Sequence, residues 1–229
     1  TNTDGTLSAQ VRANPSAGLS IVNYTGTGAV ATVGHGLNAA PEFIITKARS
    51  NATDWVTGHS GIGWNNFLFL NTYGTSGASA AVWNNTAPDS NVFSLASSSY
   101  INPSGSDVIA YCFTGVEGYS KFGSYTGNGS STDGPFVYTG FRPAFILVKN
   151  SQGSNSWCIS DTERGSFNVV DNFLFSDSAL VETTDSTYSH DILSNGFKIR
   201  GTYGGINGSG NKIVYAAFAE HPFKTSRAR

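Results

Sequence analysis

The sequence predicts an all-β fold made of two tandem, structurally similar β-sandwich modules of jelly-roll type. Its apolar residues come in runs of four to seven, bounded by Gly, Asn, Ser and Pro, which is the spacing of strands. No window shows the i, i+3, i+4, i+7 pattern of an amphipathic helix. Several landmarks return in the same order roughly 101 to 106 residues later, which predicts an internal duplication. We expect about seven or eight short strands in each copy.

The repeated landmarks are turns and strand starts. The Tyr-Thr-Gly turn at Tyr24 returns at Tyr125, and the Pro-x-Phe-Ile strand at Pro41 returns at Pro143. Glycine adopts turn conformations that other residues resist. Proline is tolerated at the first position of a strand, where the N–H it lacks is least needed for pairing with the neighbouring strand. The predicted divisions are a linker or the end of an upstream module at 1–17, repeat 1 at 18–117, repeat 2 at 118–224 and a basic tail at 225–229.

Composition and charge argue against several classes of partner. The 229 residues are 12% charged with a formal net charge of -2, so no broad basic field attracts nucleic acid or an anionic membrane. No apolar stretch approaches the roughly 20 residues of a membrane-spanning helix, so we expect no membrane insertion. Cys112 and Cys158 align with Ala217 and Val56 in the other copy, which predicts that both are buried free thiols.

The sequence carries few residues suited to metal binding or catalysis. The four histidines are scattered without the paired spacing of metal ligands. There is no Gly-x-Ser-x-Gly nucleophile elbow and no phosphate-binding glycine loop. A carboxylate pair for glycoside hydrolysis should recur if the duplication had copied it, but Asp54 aligns with Ser156. We therefore predict no catalytic residues, no metal site and no cofactor.

Aromatic residues beside Gly, Asn or Ser are the remaining candidates for ligand contact. Indole and phenol rings stack on sugar faces and also anchor protein interfaces. Trp55 and Trp157 recur in register, which favours core packing for both. The other rings lack a clear counterpart, which favours binding for them and for two neighbouring asparagines. The candidate ligand-binding residues are Trp64, Tyr73, Trp83, Asn84, Asn85, Tyr188 and Tyr203.

Segment 32–47, TVGHGLNAAPEFIITK, resembles a signature of tail-fibre and virion structural proteins of tailed bacteriophages, marine ones in particular. Segments 83–88, 116–129 and 191–198 resemble further parts of the C-terminal domain of that family. The similarity extends over about residues 18 to 224. It implies a non-enzymatic module in the outer part of a long fibre, on the virion and outside the cell. It also implies assembly into a homotrimer or a higher oligomer.

Three functions stay open from the sequence. In the first, the protein displays loops that attach a virion to glycans on the host surface, with other virion proteins as partners. In the second, it is an architectural capsid or tail protein that decorates or self-assembles without a receptor of its own. In the third, it is a polysaccharide depolymerase. The aromatic rings separate the first two, because an adhesin exposes them and an architectural protein buries them between subunits.

Overall fold

The computed structural model describes residues 1–221 as an all-β protein, which confirms the predicted fold class. The chain divides into two compact units. Unit 1 comprises Thr1–Leu70 and Ser76–Gly115, and unit 2 comprises Asn71–Thr75 and the described chain from Val116 onward. The described residues include two α-helices, α1 (Ala80–Trp83) and α2 (Gly204–Asn207), and no helix among them is long and apolar enough to span a membrane.

Unit 1 is a sandwich of a seven-stranded sheet and a two-stranded sheet. Its strands are β1 (Ala9–Asn14), β2 (Leu19–Thr25), β3 (Ala31–Gly34), β4 (Phe43–Ala48), β5 (Val56–His59), β6 (Asn66–Phe69), β7 (Gly77–Ala78), β8 (Val92–Leu95) and β9 (Asp107–Phe113). The large sheet has the order β1-β2-β9-β4-β5-β6-β7, and β3 pairs with β8. Alternate residues of each strand face the core, so Val22 and Ile44 from the large sheet share one apolar cluster with Val33 and Phe93 from the small sheet.

Unit 2 has a six-stranded sheet and a three-stranded sheet. Its strands are β10 (Ser120–Thr126), β11 (Phe136–Tyr138), β12 (Pro143–Asn150), β13 (Cys158–Asp161), β14 (Asn172–Phe175), β15 (Thr183–Thr184), β16 (His190–Leu193), β17 (Gly196–Ile199) and β18 (Lys212–Ala219). The orders are β10-β18-β12-β13-β14-β15 and β11-β17-β16. Ile146 and Tyr215 from the large sheet form a core with Val137 and Phe197 from the small sheet.

The two units share the strand order of their large sheets. Strands β2-β9-β4-β5-β6-β7 in unit 1 match β10-β18-β12-β13-β14-β15 in unit 2. The repeated tyrosines make the same bond, because Tyr24 Oη donates to the Ile101 carbonyl at 2.6 Å and Tyr125 Oη to the Ile206 carbonyl at 2.7 Å. The internal duplication stays a prediction, and these shared features support it.

A buried asparagine closes the same turn in each unit. The Asn102 amide donates to two backbone carbonyls at 2.7 Å each, and the Asn207 amide donates to two at 2.9 Å each. Each side-chain oxygen accepts a backbone N–H from the glycine turn, that of Thr27 in unit 1 and that of Asn128 in unit 2. These amides have every polar atom paired away from water, so each one fixes the position of the turn against the core.

The first 17 residues belong to unit 1, so the prediction of a linker or the end of an upstream module at 1–17 is wrong. Strand β1 pairs with β2 from Ala9 to Asn14. The Leu7 N–H donates to the Thr32 carbonyl at 3.0 Å, which also ties the segment before β1 to β3. The small, polar side chains of this segment resemble a linker, but strand pairing uses the backbone. We call residues 1–14 the N-terminal arm.

The other predicted boundaries differ from the observed units by a few residues or lie partly outside the described residues. Repeat 2 is predicted to begin at Gly118, and unit 2 resumes at Val116. Segment Asn71–Thr75, predicted as part of repeat 1, groups with unit 2. Residues 222–224 of the predicted repeat 2 and the predicted basic tail at 225–229 lie outside the described residues. Cys112 and Cys158 are buried free thiols, as predicted.

Candidate functional site

Two of the predicted ligand-binding residues, Trp64 and Trp83, lie in the core of unit 1. Their side chains are 8% and 1% exposed, and their rings meet edge to face with centroids 5.5 Å apart. A Cβ atom at Gly58 would lie 2.4 Å from Trp64, so the rings pack directly on the β5 backbone. The prediction that these rings face a ligand from loops is wrong, because α1 turns Val82 and Trp83 inward.

Asn84 and Asn85 are exposed, but a structural role explains them. Both have a left-handed backbone, with φ of 54° and 50°. Asn84 ends α1, and its N–H donates to the Ala80 carbonyl at 3.0 Å. Asparagine tolerates this conformation better than most residues, so these positions form a helix-terminating turn. Tyr73 is 63% exposed.

Tyr188 and Tyr203 come together on unit 2, although 15 positions separate them in the chain. Tyr188 ends a short 3-10 turn, Ser186–Tyr188, which begins where the Asp185 carboxylate accepts the Thr187 N–H at 2.8 Å. Tyr203 immediately precedes α2. Its N–H donates to the Thr187 carbonyl at 2.9 Å, so a backbone bond fastens the two tyrosine segments to each other.

The two phenol rings form a partly exposed pair, which we call the tyrosine pair. Their centroids are 4.3 Å apart and their planes meet at 39°. Phe173 and Phe175 each lie 5.6 Å from Tyr188 and support it from the core side. A Cβ atom at Gly205 would lie 2.3 Å from Tyr203, so this glycine lets the ring lie against the α2 backbone. The rings are therefore held in place before any ligand arrives.

Amide groups surround the tyrosine pair. Asn155 hydrogen-bonds the Tyr203 phenol and accepts from Asn150 Nδ2 at 3.3 Å. The buried Asn150 also donates to the Gly204 carbonyl at 2.6 Å, which ties the loop after β12 to α2. Half-buried Asn155 thus lies at the edge of the Tyr203 ring, and the buried Asn150 amide helps to fix the position of that ring.

Two titratable groups lie beneath this loop. Lys149 is fully buried and donates to the Asn150 and Gly153 carbonyls at 2.6 and 3.2 Å. Burial lowers the pKa of Lys149 to about 8, although the Asp177 carboxylate opposes the shift. Burial raises the pKa of Asp177, against the opposing effects of Ser156 and Lys149. Within residues 1–221 neither Asp177 oxygen accepts a hydrogen bond of normal geometry.

The tyrosine hydroxyls are neutral hydrogen-bonding groups at physiological pH. Burial raises the pKa of Tyr188, and the neighbouring Tyr203 adds to the shift. Burial likewise raises the pKa of Tyr203. The partly exposed site therefore combines two aromatic rings, two phenols and an amide, groups that can stack on and hydrogen-bond a neutral polar ligand.

A serine and a histidine also meet in unit 2, but inside the core. Ser160 Oγ and His190 Nε2 are 3.1 Å apart, beside a cavity of about 10 Å³ with otherwise apolar walls. That volume admits about one water molecule and no substrate. Burial lowers the pKa of His190 to about 4, so the ring is neutral at pH 7. The described residues hold no group of three or more His, Cys, Asp or Glu suited to a metal ion.

The sequence missed the support of the site. Asn150, Asn155 and Asp177 were not among the candidates, and the pairing of Tyr188 with Tyr203 was not foreseen. One sequence signal indicates the loop after β12, namely the recurrence of Lys47 as Lys149. Lys47 Nζ donates to the Ala48 and Asn51 carbonyls in the corresponding loop of unit 1.

The family model described as "Domain of unknown function (DUF7483)" matches residues 1–222. The match extends through both units and includes the N-terminal arm. No curated protein and no solved structure matches the chain.

Proposed function

The chain belongs to this family along nearly its whole length, and we propose that it is a non-enzymatic virion structural protein of the tail-fibre type that binds host-surface glycans. The resemblance of segment 32–47 to phage fibre and virion proteins supports the setting, on the virion and outside the cell. The tyrosine pair supports the ligand class.

The observation that carries the proposal is the partly exposed ring pair with centroids 4.3 Å apart. A sugar ring presents C–H groups on its face and hydroxyls at its edge. The C–H face stacks on an aromatic ring, and phenol and amide groups hydrogen-bond the hydroxyls. Because Phe173, Gly205 and Asn155 already fix the rings, little conformational entropy is lost on binding.

Several copies would strengthen a weak single contact. One sugar on two rings gains only a few kcal/mol, which corresponds to a millimolar dissociation constant or weaker. An oligomeric fibre that presents several tyrosine pairs to one cell surface would bind far more tightly through effective concentration. The homotrimeric or higher assembly implied by the fibre resemblance fits this requirement, as do other virion proteins that would carry the fibre.

The test is glycan binding by the full chain and by variants of the tyrosine pair. We expect the protein to bind at least one glycan class on an array of bacterial surface polysaccharides. Tyr188→Ala and Tyr203→Ala should each weaken that binding about tenfold, since one stacked ring contributes about 1 kcal/mol or somewhat more. Tyr203→Phe keeps the ring and should retain more binding than Tyr203→Ala.

Tyr100→Ala is the matched control. Tyr100 is also a partly exposed tyrosine that packs on a phenylalanine, Phe69, at 5.2 Å, but it lies in unit 1. Its loss should leave glycan binding unchanged. Glycan binding that survives the double variant Tyr188→Ala/Tyr203→Ala would refute the proposed site. Release of reducing ends from a bound polysaccharide would refute the non-enzymatic part.

A further inference from the structure

Strand β10 ends its sheet, whereas the matching strand of unit 1 does not. Within the described chain β10 pairs along its length with β18, and on its other side only a bridge from Val116 to its first residue, Ser120, is formed. In unit 1, β2 holds the same place beside β9, and β1 covers its other side through six residue pairs from Ala9–Tyr24 to Asn14–Leu19. The chain just before β10 covers only the Ser120 position, because further back it forms β9 in the sheet of unit 1.

The uncovered side of β10 presents unpaired backbone groups. The Gly127 N–H bonds the Asn211 carbonyl and the Ala219 N–H bonds the Tyr119 carbonyl, at 3.0 and 2.8 Å. Hydrogen-bonded positions alternate along an antiparallel strand, so Ser124 and Thr126 point their N–H and C=O groups away from β18. Both residues are exposed, and no backbone bond involves these groups within residues 1–221.

Two exposed aromatic side chains lie on β11, the strand that Lys121 of β10 contacts. Phe136 and Tyr138 of β11 are 45% and 58% exposed. Lys121 of β10 reaches across, since its Nζ donates to the Tyr138 carbonyl at 2.9 Å and lies 5.0 Å from the centre of that ring. Exposed aromatics next to an open strand edge mark a surface suited to association.

In unit 1 the matching surface is covered. Strand β3 corresponds to β11, because the same bond follows each strand. The backbone N–H of the next residue, His35 or Thr139, donates to an asparagine carbonyl at 3.0 Å. The N-terminal arm lies on β3, with the Leu7 N–H on the Thr32 carbonyl and Asn2 against Gly34. One segment thus covers both a strand edge and its neighbour in unit 1, whereas the described part of unit 2 has no corresponding segment on β11 or on β10 beyond Ser120.

We infer that this open edge, consisting of β10 with Phe136 and Tyr138, binds the same edge of a second copy of the chain. The two β10 strands pair antiparallel about a twofold axis at Ser124, where the two serines exchange backbone N–H···O bonds. An identical partner satisfies both edges at once. The arm of another copy would not, because its transfer would uncover β2 of that copy.

The edge is self-complementary in this register. Gly123 of each copy faces Tyr125 of the other, and neither obstructs the pairing, because the Tyr125 ring packs in its own core and Gly123 lies against its own Tyr215. Lys121 is the only charged residue of β10, and its ammonium group is held by its own Tyr138, so no like charges meet directly. This dimer contact is distinct from any threefold assembly of a fibre, and it does not depend on glycan binding.

Sedimentation velocity of the full chain tests the pairing. We expect a concentration-dependent dimer. Ser124→Pro removes an N–H that points away from β18, so unit 2 keeps its own ladder, and the variant should weaken association at least tenfold. Ser124→Ala keeps the N–H and should associate like the unaltered protein. Phe136→Asp places a charge on the aromatic part of the surface and should also weaken association, with circular dichroism verifying that both variants are folded.

Each alternative outcome overturns the inference. A protein that stays monomeric at millimolar concentration has no such contact. A dimer that neither Ser124→Pro nor Phe136→Asp weakens associates through another face. An assembly of odd copy number that neither variant alters lacks the twofold contact at Ser124.

Discussion

Acidification should destabilise unit 2 through one buried histidine, His190. Its ring contacts Phe173 and Phe197, hydrogen-bonds Ser160, and bonds the Tyr188 carbonyl. Burial lowers its pKa from 6.5 to about 4 in the folded state, while the neighbouring Asp191 acts in the opposite direction. Between these two pKa values the unfolded chain binds more protons than the fold, so stability must fall as the pH falls.

The size of the effect follows from the two pKa values. At pH 7 the histidine is nearly neutral in both states and contributes almost nothing. At pH 5 the unfolded histidine is protonated and the folded one is not, which costs the fold about 2 kcal/mol. The urea midpoint of unit 2 should therefore drop by roughly 1 M from this group alone.

Thiol accessibility reports unfolding of unit 2 specifically. Cys158 is buried in unit 2 and Cys112 in unit 1, so short pulses of a pyridyl disulfide over a urea series give a separate midpoint for each. His190→Gln keeps hydrogen-bonding capacity and removes the titration. We expect the Cys158 midpoint of this variant to change about 2 kcal/mol less between pH 7 and pH 5 than that of the unaltered protein. Exposed His221 serves as the control, and His221→Gln should leave the pH dependence unchanged.

Comparison with His190→Gln isolates the histidine. The raised pKa of Asp177 and the lowered pKa of His35 also change stability with pH, but both are present in each protein and cancel in the difference. An equal loss of stability in the unaltered protein and in His190→Gln would refute the reasoning, since it would mean that His190 is not the group being protonated.

Other predictions concern single buried side chains. Asn207→Ala should lower the stability of unit 2 by about 3 kcal/mol, because it strands buried backbone groups, and Asn102→Ala should do the same in unit 1. The urea midpoints of Cys158 and Cys112 measure the two effects, and a loss below about 1 kcal/mol would contradict the role of the asparagines. Trp83→Ala should cost unit 1 about 3 to 5 kcal/mol through the cavity it leaves, and a neutral result on Cys112 labelling would contradict a core position.

The sequence predicted the features that depend on local pattern. Alternating and continuous apolar runs between turn residues are enough to indicate strands, and the two glycine turns after Tyr24 and Tyr125 recur because each closes onto a buried asparagine. Burial of the two cysteines followed from alignment with Ala217 and Val56, since a position that takes small apolar residues in one copy packs similarly in the other.

The predictions from sequence failed for residues whose positions depend on tertiary contacts. Trp64 and Trp83 have loop-like neighbours, but a four-residue helix and the bare backbone of Gly58 draw both rings into the core. The arm at 1–14 has the composition of a linker, and only the presence of an open edge on β2 makes it a strand. Tyr188 and Tyr203 meet because the β16–β17 hairpin returns the chain, which no local pattern encodes.

The most direct measurement of the central claim is a titration of the protein, labelled with ¹³C in its tyrosine rings, with the glycan that the array identifies. The chain has ten tyrosines, so each ring signal can be assigned by substitution. Glycan binding at the tyrosine pair predicts that the Tyr188 and Tyr203 signals shift together and saturate together, while the Tyr100 signal stays fixed. Shifts confined to other tyrosines such as Tyr73, with Tyr188 and Tyr203 unchanged, would contradict it.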